Sequence, residues 1–554
     1  MRGKIIIYQL VPLLFSNTNS TNKAWGSKSV NGCGNLNEVK AVALKALKDV
    51  GINCIWLTGI IRHATTTDYS KHKIPANNPL IVKGRAGSPY AITDYFDIHP
   101  DIAENVDNRM KEFTELVERI HQQGMKVIID FIPNHVAREY NFSPNYGKSY
   151  ISRSKHLLGA NEDDSKMFDS NNNFYYIPNE RFVVPQEARD ILNNYINPSE
   201  IEDYEEFPAK VTGNDCFSAK PSINDWYETI KLNYGVDYRD NSKHFEPIPN
   251  TWLCMNEILN FWAEKGVDGF RCDMAEMVPC EYWKWQIEKI KSKYPDILFI
   301  AEIYKRDLYR SFLDEANFDF LYDKVDMYDN LREIITGNGK VDKITASWQA
   351  TNDYNDRMLR FLENHDEQRV ASNFFAGDGF KALPAVIVAA FLHKGPFMIY
   401  NCQELGEKAE GASGFSGDDG RTTIFDYWCI DKLKRWNNNG KFDNELLTDE
   451  EKTLRKKYSD ILNEATSEIA ISEGDFYDLM WINEHLVDAN CFAFLRTCKS
   501  QHVVYIVNFN DYPVETSLKL NVHVFDFLNI SQKEELNLAV GVEAYWYLKI
   551  VLQF

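Results

Sequence analysis

The chain has 554 residues, 44% of them hydrophobic and 13% aromatic, which is ample for one large barrel with additions or for several ordinary domains. A formal net charge of −20 argues against nucleic acid and against anionic membrane surfaces as partners. No apolar run approaches the length of about 20 residues that a spanning helix needs, so no membrane span is expected, and the acidic charge makes a neutral or cationic ligand the easier one to accommodate.

Residues 5–15 follow Arg2 and Lys4 and superficially resemble a leader peptide. Gln9 and Pro12 interrupt the run and no small-residue cleavage site follows, so it reads as a first strand. A unit then repeats: an amphipathic helix, a glycine and a short apolar strand. Leu36, Val39, Ala43, Leu44 and Leu47 recur at helical spacing, Gly51 ends that helix, and residues 54–57 read as a strand. Met110, Phe113, Val117 and Ile120 form a second stripe, followed by Gly124 and a strand at 127–130. Met255, Ile258, Leu259 and Trp262, then Gly266, lead into a strand over 267–273. Trp283, Ile287 and Ile290 lead into another at 297–302, and further strands are expected at 318–321, 358–362 and 396–400.

About eight apolar strands alternating with helices imply a parallel sheet covered on both faces, and that number predicts a (β/α)8 TIM barrel, an α/β fold. A doubly wound sheet competes, but its nucleotide fingerprint is missing: residues 32–37 hold only half of a GxGxxG motif. Two segments break the rhythm. Residues 137–243 are polar and too long for a bare loop, so they read as a subdomain inserted after strand 3. Residues 467–554 carry short strand-like runs between turns and read as an antiparallel β-sandwich, which leaves the barrel to 1–136 and 244–466. The ten cysteines show no CxxC spacing, and several lie in apolar runs. They read as reduced thiols of a cytoplasmic protein, with a periplasmic location as the alternative if the N-terminus is a processed form.

Polar groups gather where barrel strands are expected to end: Asp130 and His135, Arg271 and Asp273, Glu302, and His365 with Asp366. In such a barrel these ends share one face, where active sites lie. One acidic strand end would be explained as a cap on the next helix. Four, joined by two histidines and an arginine, are better explained as a site. Arg271 and Asp273 fall on the same side of an extended strand, where the guanidinium is expected to lower the aspartate's pKa.

These stretches resemble the conserved regions of the alpha-amylase family, family 13 of the glycoside hydrolases. The matching patterns are DxxxNH at 130–135, GxRxD at 269–273, Glu302 after an apolar strand, and NHD at 364–366; residues 88–95 resemble the family's early tyrosine-bearing segment. The resemblance spans barrel, insertion and sandwich. It implies a retaining hydrolase of α-glucosidic, mainly α-1,4, bonds in starch-like glucans or maltooligosaccharides, acting by double displacement. Asp273 would be the nucleophile, Glu302 the general acid/base and Asp366 the third carboxylate, which stabilises the transition state. Arg271 would position Asp273, and Asp130 would brace Arg271. His135 and His365 would hydrogen-bond the sugar on which Tyr90 stacks. The chemistry itself asks for one carboxyl to protonate the departing oxygen and another to attack the anomeric carbon. An apolar strand and neighbouring carboxylates should raise Glu302 towards an acid's role.

The chain departs from the family pattern in several places. The lysine-histidine pair many amylases carry after the nucleophile reads Ala275-Glu276-Met277, and the glycine usual before Gln403 is Cys402. The aspartate-rich calcium loop that some relatives carry after strand 1 is absent. Asn134 matches a calcium-binding asparagine, although hydrogen bonding of the strand-three turn is an equal alternative; no other cofactor is expected. In the insertion, Trp226, Tyr227 and Tyr234 read as small-core packing, with cleft lining as the alternative. Residues 411–420, which hold no GxSxG elbow, read as a mobile loop over the site. Alternatives for the activity are a transglycosylase or isomerase of the same family, or a metal-dependent phosphohydrolase using His135, His365 and Asp366, where Arg271 would repel the cation.

Overall fold

Eight short strands close a parallel barrel in chain order: β1 (Ile6–Leu10), β2 (Cys54–Leu57), β3 (Lys126–Phe131), β4 (Gly269–Cys272), β5 (Leu298–Ala301), β6 (Phe320–Tyr322), β7 (Met358–Phe361) and β8 (Phe397–Tyr400), which pairs back onto β1. The structure is a computed structural model and describes residues 3–140, 158–159, 162–411, 417–499, 501–531 and 534–553. The strands look apolar throughout because both of their faces are buried. Ile7, Cys54, Trp56, Ile128, Ile300, Tyr322, Leu359, Phe361 and Met398 point inward and fill the barrel. Their chain neighbours, among them Ile55, Ile129, Phe270, Cys272 and Phe299, point outward against the helices.

The expected helical stripes are the buried faces of Ala41–Val50 (α1), Arg109–Gln122 (α2), Asn250–Glu264 (α3) and Cys280–Lys293 (α4). Leu36 and Val39 are exceptions: Leu36 opens a separate 3-10 turn, Leu36–Glu38, and Val39 follows it, with the Glu38 N–H capped by the Asn35 side chain. Gly51 ends α1 at φ 112°, and a Cβ there would lie 2.8 Å from the backbone of Leu462 in the long helix Asp449–Ser467 (α5), so both the turn and the packing require glycine.

The stretch after β3 leaves the barrel through His135–Ala137, which pairs antiparallel with Thr229–Lys231. Between them the described residues form small clusters of their own, one around Phe182, Leu192 and Tyr227 and another around Phe168, Tyr175 and Val211. The three aromatics of the insertion therefore divide: Tyr227 packs in a small core, Tyr234 joins the barrel's main core, and Trp226 lines a cavity.

After α5 come β9 (Asp475–Asp478), β10 (Cys491–Cys498), β11 (Gln501–Asn508), β12 (Val514–Leu520), β13 (Leu536–Val542) and β14 (Tyr547–Leu552). Strands β9-β10-β11-β14 form one antiparallel sheet and β12-β13 a second. Alternation decides what each face meets. Cys491, Ala493, Leu495, Val504 and Ile506 pack against the smaller sheet, while Phe492, Phe494, Val503, Tyr505 and Val507 pack onto the barrel. All ten cysteines are free thiols, and no helix of the described residues is long and apolar enough to cross a membrane.

Candidate active site

Register builds the site. Arg271 on β4 is level with Asp130 on β3 and Ile300 on β5, so the inward-facing residues near the C-terminal strand ends are Asp130, Arg271 and, one step beyond β5, Glu302. The ladder continues past the strands: Asp273 N–H donates to Phe131 O at 2.9 Å and Glu302 N–H to Cys272 O at 3.0 Å, which fixes both backbones.

Arg271 is fully buried and binds three carboxylates at once. Its Nη1 lies 2.8 Å from Asp273 Oδ1 and 3.3 Å from Asp130 Oδ1, and its Nη2 lies 2.7 Å from Glu302 Oε1. Its Nε donates to the Tyr322 hydroxyl at 3.0 Å, and Trp56 Nε1 holds the far oxygen of Asp130 at 3.0 Å. The contact to Glu302 is an ion pair without hydrogen-bond alignment, and Oδ2 of Asp273, also buried, has no hydrogen-bond partner among the described residues.

Glu302 is held from the other side by groups the motif reading did not single out. Met274, directly after Asp273, adopts φ 41°, and its N–H donates to Glu302 Oε2 at 2.7 Å. The Tyr304 hydroxyl donates to Oε1 at 2.8 Å. Glu276, where the family's pattern has a basic pair, accepts from the N–H groups of Tyr304 and Lys305 at 2.7 and 2.9 Å and so anchors that turn.

Opposite them, His365 Nδ1 faces Gln9 Nε2 at 2.8 Å, and its Nε2 faces the Tyr90 hydroxyl at 2.5 Å and Asp366 Oδ2 at 3.1 Å. With Gln9 presenting its amide nitrogen to Nδ1, the proton of a neutral ring sits on Nε2 and is given to Tyr90 or Asp366. The Tyr90 and His365 rings stack at 5.1 Å. His135 lies under Trp226 at 5.2 Å, and burial, reinforced by Lys231 and Lys83, lowers its pKa to about 3, so it is a neutral hydrogen-bonding group.

The electrostatics correct one expectation. Burial, and then the neighbouring Glu302, raise the Asp273 carboxyl well above its ordinary range, more than Arg271 lowers it. One guanidinium divided among three buried carboxylates cannot hold all of them ionised, so the reading of Asp273 as an aspartate with a lowered pKa does not hold in the empty site. Burial also raises Asp130 despite Arg271 and His365. At Asp366 burial raises the pKa too, but His365, Arg271 and Arg421 outweigh it and the net direction is down. Its side chain is 40% exposed, which makes it the most accessible carboxylate of the cluster.

Asp273, Glu302, Asp366, Tyr90 and His135 all line one cavity of about 360 Å³, together with Met274, Tyr304, Trp226, Phe425, Lys83 and Glu228. Asp130, Arg271 and His365 stand behind that lining. Asn134 lies elsewhere: its Nδ2 donates to Gly213 O at 2.7 Å and its Oδ1 accepts from Lys231 Nζ at 2.8 Å. The Lys231 ammonium, almost wholly buried, also pairs with Asp215 at 2.5 Å. A cation is thus already built in against the oxygen that a calcium ion would use, and the donor set does not fit calcium at Asn134. His135, His365 and Asp366 likewise do not form a metal-binding group, since the described residues contain no cluster of three or more His, Cys, Asp or Glu suited to one.

Cys402, standing where the family pattern has glycine, sits at φ 74° with its N–H on the Tyr8 hydroxyl at 2.9 Å. Of the 411–420 loop, residues 412–416 lie outside the described residues. Gly420 O accepts from Arg369 N, and Arg421 Nε donates to Asp366 O at 2.7 Å.

Residues 9–455 match the family model described as the alpha-amylase catalytic domain. Alpha-amylase 3 of Dictyoglomus thermophilum is 25% identical over 375 residues, 64% of this chain and 62% of that protein. An alpha-amylase of Streptomyces lividans is 23% identical over 513 residues, covering 86% of this chain and 50% of that protein. The chain thus spans between half and two thirds of the length of these curated relatives. Among solved structures, the ligand-free cyclic alpha-maltosyl-(1→6)-maltose hydrolase of Arthrobacter globiformis superposes with a TM-score of 0.62 at 16% identity, over 99% of this chain and 98% of that one, a likeness of fold. With its barrel closed, its strand-end carboxylates gathered on one arginine and more than half its length matched by one model, the chain belongs to the alpha-amylase family.

Proposed function

We propose that the protein is a retaining glycosidase that cleaves α-glucosidic bonds, mainly α-1,4, in starch-like glucans or maltooligosaccharides. The observation that carries this reading is the Arg271 hub. It keeps Asp273 and Glu302 beside each other on adjacent nitrogens while leaving Oδ2 of Asp273, a residue of the cavity wall, without a hydrogen-bond partner among the described residues. That oxygen attacks the anomeric carbon, and Glu302 protonates the departing oxygen and later deprotonates the water. Asp366, with His365 bound behind it, holds sugar hydroxyls as positive charge develops on the ring. The names of the relatives, amylases and an oligo-1,6-glucosidase among them, support a glucan substrate.

Maltoheptaose hydrolysis followed by anomer-resolved NMR tests the reading. The α-anomer should form first; β-anomer as the initial product would overturn double displacement, and transfer products in place of free sugar would favour a transglycosylase. We further propose that the joint between barrel and insertion uses Lys231 in place of calcium. Exhaustive chelation should leave rate and Tm unchanged; a loss of either, restored by calcium, would refute that. The ten free thiols and the acidic charge support a cytoplasmic protein without a nucleic-acid partner.

A further inference from the structure

The cavity holds an ion pair that the bond-breaking chemistry does not use. Lys83 Nζ lies 2.9 Å from Glu228 Oε1, and both residues line the cavity. Each comes from backbone pinned independently of the other. Glu228 immediately precedes the Thr229–Lys231 ladder, and its carbonyl accepts from Arg138 N at 2.9 Å. Lys83 is followed by Gly84 at φ 63°, where a Cβ would lie 2.4 Å from Phe425 O, and that same carbonyl accepts from Ala86 and Gly87. Two rigid segments therefore deliver one ammonium and one carboxylate to a fixed place.

Glu228 is only 3% exposed, yet its Oε2 has no hydrogen-bond partner among the described residues. A buried carboxylate oxygen left unpaired is costly, and here it belongs to a side chain on the wall of a substrate-sized cavity. Lys83 is 31% exposed and keeps donors free. Glu228 neutralises Lys83, so the pair suits a phosphate poorly. It suits neighbouring sugar hydroxyls, one donating to Oε2 and one accepting from Nζ. The groups around Asp273 come from strand ends, whereas Glu228 comes from the insertion, two residues from Trp226, and Lys83 from the turn before Gly84, so the pair adds contacts that the strand ends do not supply.

We propose that Lys83 and Glu228 clamp two adjacent hydroxyls of a second glucosyl unit, next to the one whose bond is cut, so that the site selects oligosaccharides over single-sugar glucosides. This rests on the glucan reading above. The test is kcat/KM for p-nitrophenyl α-maltotrioside relative to p-nitrophenyl α-glucoside in the parent, Glu228→Gln, Lys83→Met and Lys83→Arg. The ratio should fall about tenfold or more in the first two variants, the effect of one hydrogen bond to a charged group, through KM more than kcat, with partial rescue in Lys83→Arg. An unchanged ratio overturns the clamp, whether both rates hold or both fall together with Tm, as a purely structural tie would produce. A parent that cleaves neither substrate while cleaving some other sugar linkage overturns the glucan reading, and the clamp with it.

Discussion

Arg271 and Arg496 both lie wholly inside the described structure and are satisfied in opposite ways. Arg496 on β10 donates to the backbone carbonyls of Leu392, Ala470, Ile471 and Gly474 at 2.7–3.1 Å and makes no ion pair among the described residues. Burial lowers its pKa to about 10. Arg271 meets three carboxylates, yet one of its nitrogens is misaligned and an oxygen of Asp273 stays unpaired. Arg496 has a carbonyl on each of its three nitrogens and no ion pair among the described residues; Arg271 has charge in excess and hydrogen bonds incomplete. The first is how a fold joins a sandwich to a barrel. The second is a fold leaving polar atoms unsatisfied where a ligand will complete them.

Substitutions should separate the two cases. Asp273→Asn should lower kcat on a maltooligosaccharide on the order of 10⁴-fold, as loss of a covalent nucleophile does, with an unchanged circular dichroism spectrum. Glu302→Gln should cost about 10²- to 10⁴-fold on natural substrates and much less on aryl glycosides whose leaving group needs no proton, measured as the ratio of the two rates. Arg496→Met strands four carbonyls, at about 1–3 kcal/mol for each one left without another partner; urea titration should show a large loss of stability while kcat of the folded fraction stays close to the parent's.

The smallest effect has the least obvious sign. The folded Asp273 carboxyl is raised above its ordinary 3.8, so its contribution to stability is present below 3.8 and is lost as pH rises through the raised value. Asp273→Asn should therefore have a higher Tm than the parent at pH 7, with the gap closing towards pH 4. A lower Tm at pH 7 would mean that Arg271 outweighs burial after all.

The barrel was legible because strands buried on both faces are apolar without alternation, and because helices between them end at glycines. The site was legible where motifs fall on strand ends. Trp56 and Tyr322 escaped notice since an inward aromatic in an apolar strand looks like any core residue until register puts it beside Arg271. Tyr304 had a signal: it lies two residues past Glu302, on the same side of an extended chain. Met274 had none, since its role is carried by its backbone N–H and not by its side chain. The insertion stayed opaque because its small cores are assembled from distant turns rather than from a periodic stripe.

The buried ammonium of Lys231 has a consequence for how this protein behaves on dilution. An ion bound from solution stabilises a fold by mass action, in proportion to the logarithm of its free concentration. A side chain that supplies a positive charge, one unit rather than calcium's two, has no dissociation constant and no assembly step. Its stoichiometry is set when the chain is made, so on the proposal that Lys231 takes calcium's place the joint between barrel and insertion should be indifferent to how much metal the surroundings contain.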